Sequence, residues 1–81
     1  MTVIVTKTAV KDFKKISEPY KSAIKEKIKG LEEFPEVAQV KQLKNHDPKF
    51  RLRVGDYRIL FDVVGDTVRV ARILHRRESY R

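Results

Sequence analysis

The sequence predicts an α+β fold in which a helical hairpin packs on one face of a twisted, mostly antiparallel sheet. Two observations lead to this prediction: apolar residues recur at helical spacing through Leu31, and they alternate with polar residues from Phe50 onward. A third is a pair of Gly-Asp dipeptides, at Gly55 and Gly65, which are typical of tight turns between paired strands. The predicted order is β-α-α-β-β-β, and the 81 residues are expected to form one domain, 1–81.

The first half of the chain predicts one strand and two helices. The β-branched segment 2–6 predicts the strand. Apolar residues at helical spacing among lysines predict a first helix that begins near Thr6 or Thr8. A second helix is predicted to follow Ser17, which can cap it, and to end before Pro35. The expected buried face of this second helix consists of Tyr20, Ile24, Ile28 and Leu31.

The second half of the chain predicts strands. Segments 50–54 and 57–63 are apolar at every second position, so each is expected to turn one face toward the helices. The segment from Thr67 to Leu74 is apolar on both parities, which predicts a central strand that is covered on both faces. A short strand around Val40 to Leu43 is left open as an alternative to a loop.

The net charge is strongly positive. Nineteen basic residues against eleven acidic ones give +8, which predicts attraction to polyanions, and to nucleic acid before acidic proteins or anionic membranes. All 11 lysines lie at or before Lys49, and all 8 arginines lie at or after Arg51. Arginine binds phosphate through its planar fork, whereas lysine is a hydrated point charge. Phosphate contacts are therefore expected after residue 50, with a merely solvated basic surface as the alternative.

Composition disfavours several classes of protein. The chain has no cysteine, which excludes a disulfide framework and thiolate zinc ligation and favours a cytoplasmic protein. Residues 1–7 lack the apolar stretch of a signal peptide, and no segment approaches membrane-spanning length, so no membrane partner is expected. His46 and His75 are far apart, and no glycine-rich phosphate loop is present, so neither a metal nor a cofactor is expected.

The alternation of the strands predicts a cationic surface. If the apolar residues face the helices, Arg51, Arg53 and Arg58 share the opposite face of the sheet, about 7 Å apart along a strand. The C-terminal residues from His75 to Tyr80 are expected to reach the same face. Such a surface suits a phosphodiester with an unstacked base beside it. Structural alternatives stand beside this hypothesis, since strand arginines often only solvate a face, and the histidine and tyrosine can be packing residues.

Two segments carry a resemblance to a known family. Residues 50–59, Phe-Arg-Leu-Arg-Val-Gly-Asp-Tyr-Arg-Ile, and residues 75–80, His-Arg-Arg-Glu-Ser-Tyr, resemble the RelE/ParE superfamily of toxins from type II toxin–antitoxin pairs, and its RelE-like branch in particular. Residues 2–45 match in layout only. The resemblance implies a microbial RNase-like fold and cleavage of messenger RNA in the ribosomal A site. It also implies inhibition by a small acidic, RelB-like antitoxin encoded nearby, in a toxin–antitoxin hetero-oligomer.

The resemblance implies roles for residues of the hairpin and the tail. Arg58 matches the family arginine of the tyrosine-arginine step, and Arg76 matches the arginine of the tail, with Arg77 as the alternative alignment. Tyr80 matches the terminal tyrosine, which lies close to the substrate in this branch. These residues are therefore expected at the substrate.

Two further positions depart from the family. Arg51 and Arg53 stand where the founding members carry lysines. Because arginine effectively never loses its proton, general-base chemistry at these positions is in doubt, and His75 is the candidate acid–base group. The predicted catalytic residues are Arg51, Arg53, Arg58, His75, Arg76 and Tyr80.

The implied reaction is a metal-independent transphosphorylation, in which the RNA 2′-hydroxyl attacks the adjacent phosphorus and translation is inhibited. Two other functions remain open at this point: a ParE-like toxin that inhibits DNA gyrase by binding, and a non-catalytic module that binds RNA or the ribosome. An apolar stretch after the second helix has no predicted core role and is expected to receive part of the antitoxin. It consists of Phe34, Val37, Ala38 and Val40.

Overall fold

The computed structural model describes residues 1–79 and places two helices over one side of a five-stranded sheet. The elements are β1 Thr2–Val5, α1 Lys7–Lys14, α2 Tyr20–Gly30, a 3-10 helix Leu31–Glu33, β2 Val40–Gln42, β3 Phe50–Val54, β4 Tyr57–Val64, β5 Thr67–His75 and α3 Arg76–Ser79. The predicted α+β class is confirmed. The segment that the sequence left open is β2, which adds a fourth strand after the helices.

The strand order of the sheet is β1-β5-β4-β3-β2. β1 pairs parallel to β5, and every other neighbouring pair is antiparallel. The parallel pair places the first strand of the chain beside the last, with Thr2 opposite Thr67. β4 is the middle strand, so its side chains have neighbours on both sides. This position governs the environment of Arg58, described below.

Local side chains determine where the helices begin. The hydroxyl of Thr6 accepts a hydrogen bond from the Ala9 N–H at 3.1 Å and caps α1, as the sequence predicts. The expected Ser17 cap of α2 is absent. Instead, the Glu18 carboxylate accepts the Ser22 N–H at 3.0 Å and the Ser22 hydroxyl at 2.8 Å. These two hydrogen bonds lower the pKa of Glu18, because they favour its charged form.

The core lies between the helices and one face of the sheet. Its largest fully buried side chains are Phe61, Ile24, Leu31, Leu52, Ile59, Val68 and Val70. Phe34 packs edge-on against Phe50 and Phe61, with ring centroids 5.3 and 5.8 Å apart. Val37 and Val40 also pack against this core. The prediction that the stretch after α2 has no role in the core is therefore wrong, because that stretch leads directly into β2 and closes the core there.

A β-bulge reverses the alternation of β5. Val68 and Val70 are fully buried, but the next buried residue is Ile73, three positions further on. Leu60 of β4 pairs with Arg72, and the following residue pairs with Val70, so one residue of β5 is inserted. The apolar residues on both parities come from this reversal. The predicted cover on both faces is wrong, since Arg69 is exposed.

No helix within residues 1–79 has the length and apolarity that crossing a membrane requires.

Candidate functional site

The sheet face opposite the helices, called the open face here, carries three arginines on its middle strands. Arg53 of β3 lies directly opposite Arg58 of β4, and Arg51 lies opposite Leu60. Directly paired residues of an antiparallel sheet point to the same side. The hairpin therefore brings Arg51, Arg53 and Arg58 together, as the alternation suggests, and the bulge adds Leu74, opposite Arg58, to the same face.

Arg58 is buried, with 6% of its surface exposed. One guanidinium nitrogen, Nη1, donates to the carbonyl oxygens of Gly55 at 3.2 Å and of Tyr57 at 3.1 Å. Its Nε is buried without a hydrogen-bond partner. The prediction that Arg58 is solvent-exposed is wrong, because this residue lies on the middle strand beside Leu60 and Leu74. Alternation assigns a residue to a face, but it does not reveal whether that face is bare.

The electrostatic environment of Arg58 is unfavourable in the protein alone. Within residues 1–79 no carboxylate lies within 4.0 Å of its guanidinium, and the residue directly opposite is another arginine, Arg53. A buried charge without a partner destabilises a fold by up to several kcal/mol. The cost is smaller where water still reaches part of the charged group. A bound anion would supply the missing countercharge, so this part of the open face is a candidate anion site.

The turn between β3 and β4 connects this site to the end of β5. Gly55 takes a positive φ of 57°, which glycine adopts without strain at the first central position of a two-residue hairpin turn. The Arg76 N–H donates to the Asp56 carbonyl oxygen at 2.6 Å, and Arg76 Nη1 lies 4.0 Å from Asp56 Oδ1. Arg58 and Arg76 thus contact the same turn. This contact favours Arg76 over Arg77 as the site arginine of the tail.

His75 lies on the helix side of the sheet. It pairs with Tyr57, and the two rings meet edge-on with centroids 5.2 Å apart, so His75 does not share the face of the arginines. Its Nδ1 accepts the Arg77 N–H at 3.3 Å, while Glu78 Oε1 accepts the His75 N–H at 3.3 Å. This reciprocal arrangement is a capping box for α3. The prediction that His75 joins the open face is wrong, because the bulge in β5 reverses its parity.

An ion pair fastens α1 to the edge of β5. Both carboxylate oxygens of Asp12 accept from Arg72, at 2.8 Å from Nε and 3.1 Å from Nη2, and one also accepts the Ile73 N–H at 3.0 Å. Burial raises the pKa of Asp12, but the hydrogen bonds from Arg72 and Ile73 outweigh burial, so the pKa lies below its usual value. The pair supports the strand that leads to Arg76.

Two residues complete the comparison with the predicted site. Tyr80 lies outside the described residues. Lys41 of β2, which sequence reasoning missed, lies directly opposite Arg51 of β3 and adds a further cation to the open face. Pairing segment 40–43 with segment 50–54 was the signal that would have placed Lys41 there.

The fold and the site define a class: a small basic protein whose sheet is covered by a helical hairpin on one face and presents clustered arginines on the other. A family model described as "ParE toxin of type II toxin-antitoxin system, parDE" matches residues 3–80. The toxin RelE3 of Methanocaldococcus jannaschii is 34% identical, over 99% of this chain and 96% of that protein. The chain belongs to the RelE/ParE superfamily of toxins from type II toxin–antitoxin systems, and it is RelE-like.

Solved structures agree with this assignment. The RelB–RelE antitoxin–toxin complex of Methanococcus jannaschii contains a chain with a TM-score of 0.82 and 32% identity, covering 95% of this chain and 94% of that chain. The toxin–antitoxin complex RelBE2 of Mycobacterium tuberculosis contains a chain with a TM-score of 0.76 and 28% identity, and the match covers 91% of this chain and 95% of that chain. The isolated RelE toxin of E. coli has a TM-score of 0.74 at 17% identity, and the match covers 91% of this chain and 82% of that chain. This likeness supports the fold alone.

Proposed function

We propose that this toxin is an endoribonuclease that cleaves messenger RNA in the ribosomal A site and thereby inhibits translation. The observation that carries the proposal is Arg58, a buried guanidinium whose Nε has no hydrogen-bond partner and which has no carboxylate partner within residues 1–79. Arg53 lies directly opposite it on β3, Arg51 lies two residues further along that strand, and Arg76 contacts the same turn. A phosphodiester matches this arrangement, because it is an anion with several acceptor oxygens.

The chemistry is a transphosphorylation within the RNA strand. The 2′-oxygen forms a bond to the adjacent phosphorus, the bond from phosphorus to the 5′-oxygen breaks, and the 2′-proton is lost while the 5′-oxygen gains one. The products are a 2′,3′-cyclic phosphate and a 5′-hydroxyl. Negative charge accumulates on the equatorial oxygens in the transition state, and preorganised donors there lower the barrier. In this proposal Arg53, Arg58 and Arg76 are those donors, and Tyr80 stacks the base or transfers a proton.

The small size of the toxin favours a role for the ribosome. The radius of gyration is 11.6 Å, so the open face contacts only a short stretch of RNA and offers little surface for reading sequence. The decoding site holds a codon in a defined conformation. Positioning of the 2′-hydroxyl against phosphorus then comes from the ribosome, which supplies a large part of the rate enhancement.

An antitoxin is the proposed partner that keeps the toxin silent. Two of the similar structures are complexes of an antitoxin with a toxin. The net charge of +8 favours an acidic protein, because opposite charge raises the association rate. We propose a hetero-oligomer with a small acidic, RelB-like protein, located in the cytoplasm.

A second candidate is inhibition of DNA gyrase by binding. The observation in its favour is the matching family model, which is described as a ParE toxin. A protein that acts by binding alone has no need for an unpaired guanidinium on a middle strand, so we rank it second. A non-catalytic RNA-binding module would explain the charge but leaves the burial of Arg58 unexplained.

Controlled expression with mapping of messenger RNA 5′ ends separates these candidates. Growth arrest with new 5′-hydroxyl ends confined to translated regions is the expected result. The same cells are assayed for gyrase supercoiling. Intact messenger RNA together with inhibited gyrase would establish the second candidate, and ribosome binding without either effect would establish the third.

A further inference from the structure

A lysine lies among the arginines of the open face. In β2, Val40 packs against the core, so the next residue, Lys41, turns to the other side, and it pairs directly with Arg51. Lys41 is exposed, and its side chain makes no hydrogen bond or ion pair with any of residues 1–79. Its ammonium group is therefore available to a ligand bound on this face.

Backbone hydrogen bonds at both ends of β2 fix the position of Lys41. The Arg53 N–H donates to the Gln39 carbonyl oxygen at 3.1 Å, and the Leu43 N–H donates to the Lys49 carbonyl oxygen at 2.7 Å. These bonds bracket the three paired residues of the strand, so its register cannot slip without losing them. Although β2 is a short edge strand, Lys41 is held beside Arg51.

The proposed reaction requires a group that accepts the 2′-proton. Arginine effectively cannot serve, because it does not lose its own proton in proteins. His75 lies on the helix side of the sheet. Asp62 points to the open face, but its Oδ1 accepts the Lys49 N–H at 2.8 Å. Lys41 is a described residue of this face whose side-chain amine can exchange a proton and has no ion-pair partner within residues 1–79.

We propose that Lys41, in its neutral form, accepts the proton of the RNA 2′-hydroxyl. This inference rests on the proposed cleavage of RNA. The 2′-oxygen then attacks phosphorus, the leaving 5′-oxygen takes a proton from water, and Lys41 returns its proton to the solvent. Arg51, directly opposite, binds the same phosphodiester and brings its 2′-hydroxyl within reach of the amine.

The substitution Lys41→Arg separates charge from proton transfer. It keeps the positive charge and removes the ability to accept a proton. We expect binding to messenger-RNA-programmed ribosomes to change by less than about twofold, and single-turnover cleavage to fall by about 100- to 10,000-fold, the usual contribution of a general base. Lys44→Arg, in the exposed loop after β2, is the matched control and should leave both unchanged.

The absence of cysteine from the chain allows a chemical rescue. Lys41→Cys creates a unique thiol, and aminoethylation of that thiol rebuilds an amine of nearly the same length. Cleavage should return to within about tenfold of wild type. Alkylation of the same thiol to a trimethylammonium group restores the charge without an exchangeable proton, and it should leave cleavage low.

The outcomes distinguish this inference from the function on which it rests. Wild-type toxin that leaves ribosome-bound messenger RNA intact would overturn the proposed function and the role of Lys41 together. Active wild type with an equally active Lys41→Arg variant would overturn only the role in proton transfer. A Lys41→Arg variant that loses binding as much as cleavage, or rescue by the trimethylammonium group, would likewise overturn it, because charge alone would then explain the defect.

Discussion

Arg58 is a residue that function explains better than stability does. Its guanidinium is buried, it faces another arginine across the strand pair, and its Nε has no acceptor. Replacing buried charges with apolar side chains of similar volume is often neutral or stabilising. The site therefore carries a feature that folding alone would not retain.

Arg58→Met should separate activity from stability. We expect the free energy of unfolding to stay the same or rise by about 1 to 3 kcal/mol, because a buried unpaired cation is removed. Cleavage should fall by at least about 100-fold, because a donor to the phosphate is lost. Urea denaturation and messenger RNA cleavage measure the two effects. Arg69→Met, at an exposed position of β5, is the control and should alter neither by much. A strongly destabilised Arg58→Met variant would contradict this account.

Asp12 gives the stability of the fold a dependence on pH. Its pKa is lowered in the folded state, so its stabilising contribution is fully present above the ordinary carboxyl pKa and is lost as the pH falls from there through the lower pKa of the folded state. Asp12→Asn removes a charged acceptor and should destabilise the protein by about 1 to 3 kcal/mol at neutral pH. The difference from wild type should shrink in acid. Urea denaturation across a pH series tests this, with Asp47→Asn in the exposed loop as the control.

Among the secondary-structure elements, the sequence predicts correctly those that are determined by residues close by in the chain. The Thr6 cap, the helical spacing through Leu31 and the turns at Gly55 and Gly65 all lie within a few residues of what they control. The bulge does not, because it depends on how β5 pairs with β4. That single inserted residue changes the face of everything after it, which is why the arginines of the hairpin could be placed correctly and His75 could not.

The end of α2 offers a test of helix energetics. Gly30 adopts a helical conformation, with φ −63° and ψ −18°, and a Cβ added there meets no atom within 4 Å. Gly30→Ala should therefore stabilise the fold by about 0.5 to 1 kcal/mol and raise the Tm by about 2 to 6 °C. Gly55→Ala is the opposite case, because its φ of 57° strains any other residue, and it should lower the Tm. Thermal unfolding monitored by circular dichroism measures both, and a lower Tm for Gly30→Ala would show that the helix end is strained.

For the molecule as a whole, the sheet separates two kinds of positive charge. Exposed lysines cover the helices, whereas arginines occupy the open face together with Lys41. The segregation of lysine and arginine along the sequence anticipates this division, since the helices precede the hairpin. Composition gives no information about how deeply each charged side chain is buried. Arg58 is buried because it lies on the middle strand, whereas its neighbour Arg53 is exposed.

Salt dependence should reveal which surface binds RNA. Each phosphate contact to single-stranded RNA contributes a slope of about −0.7 to the logarithmic dependence of affinity on salt. A variant with alanine at Arg51, Arg53 and Arg76 should therefore lose about 2 from the slope measured by fluorescence anisotropy. A variant with alanine at the exposed helix residues Lys11, Lys14 and Lys29 has the same net charge and should keep the wild-type slope. Equal slopes for the two variants would mean that the attraction is diffuse.

The parallel pairing of β1 with β5 imposes an order of events during synthesis. A growing polypeptide leaves the ribosome from its N-terminus, so β1 emerges first and waits until residues 67–70 arrive before it gains its partner. The contacts of Arg76 with the hairpin turn form later still. For most of its synthesis the nascent chain therefore lacks the assembled arginine cluster, which forms only as this fold nears completion.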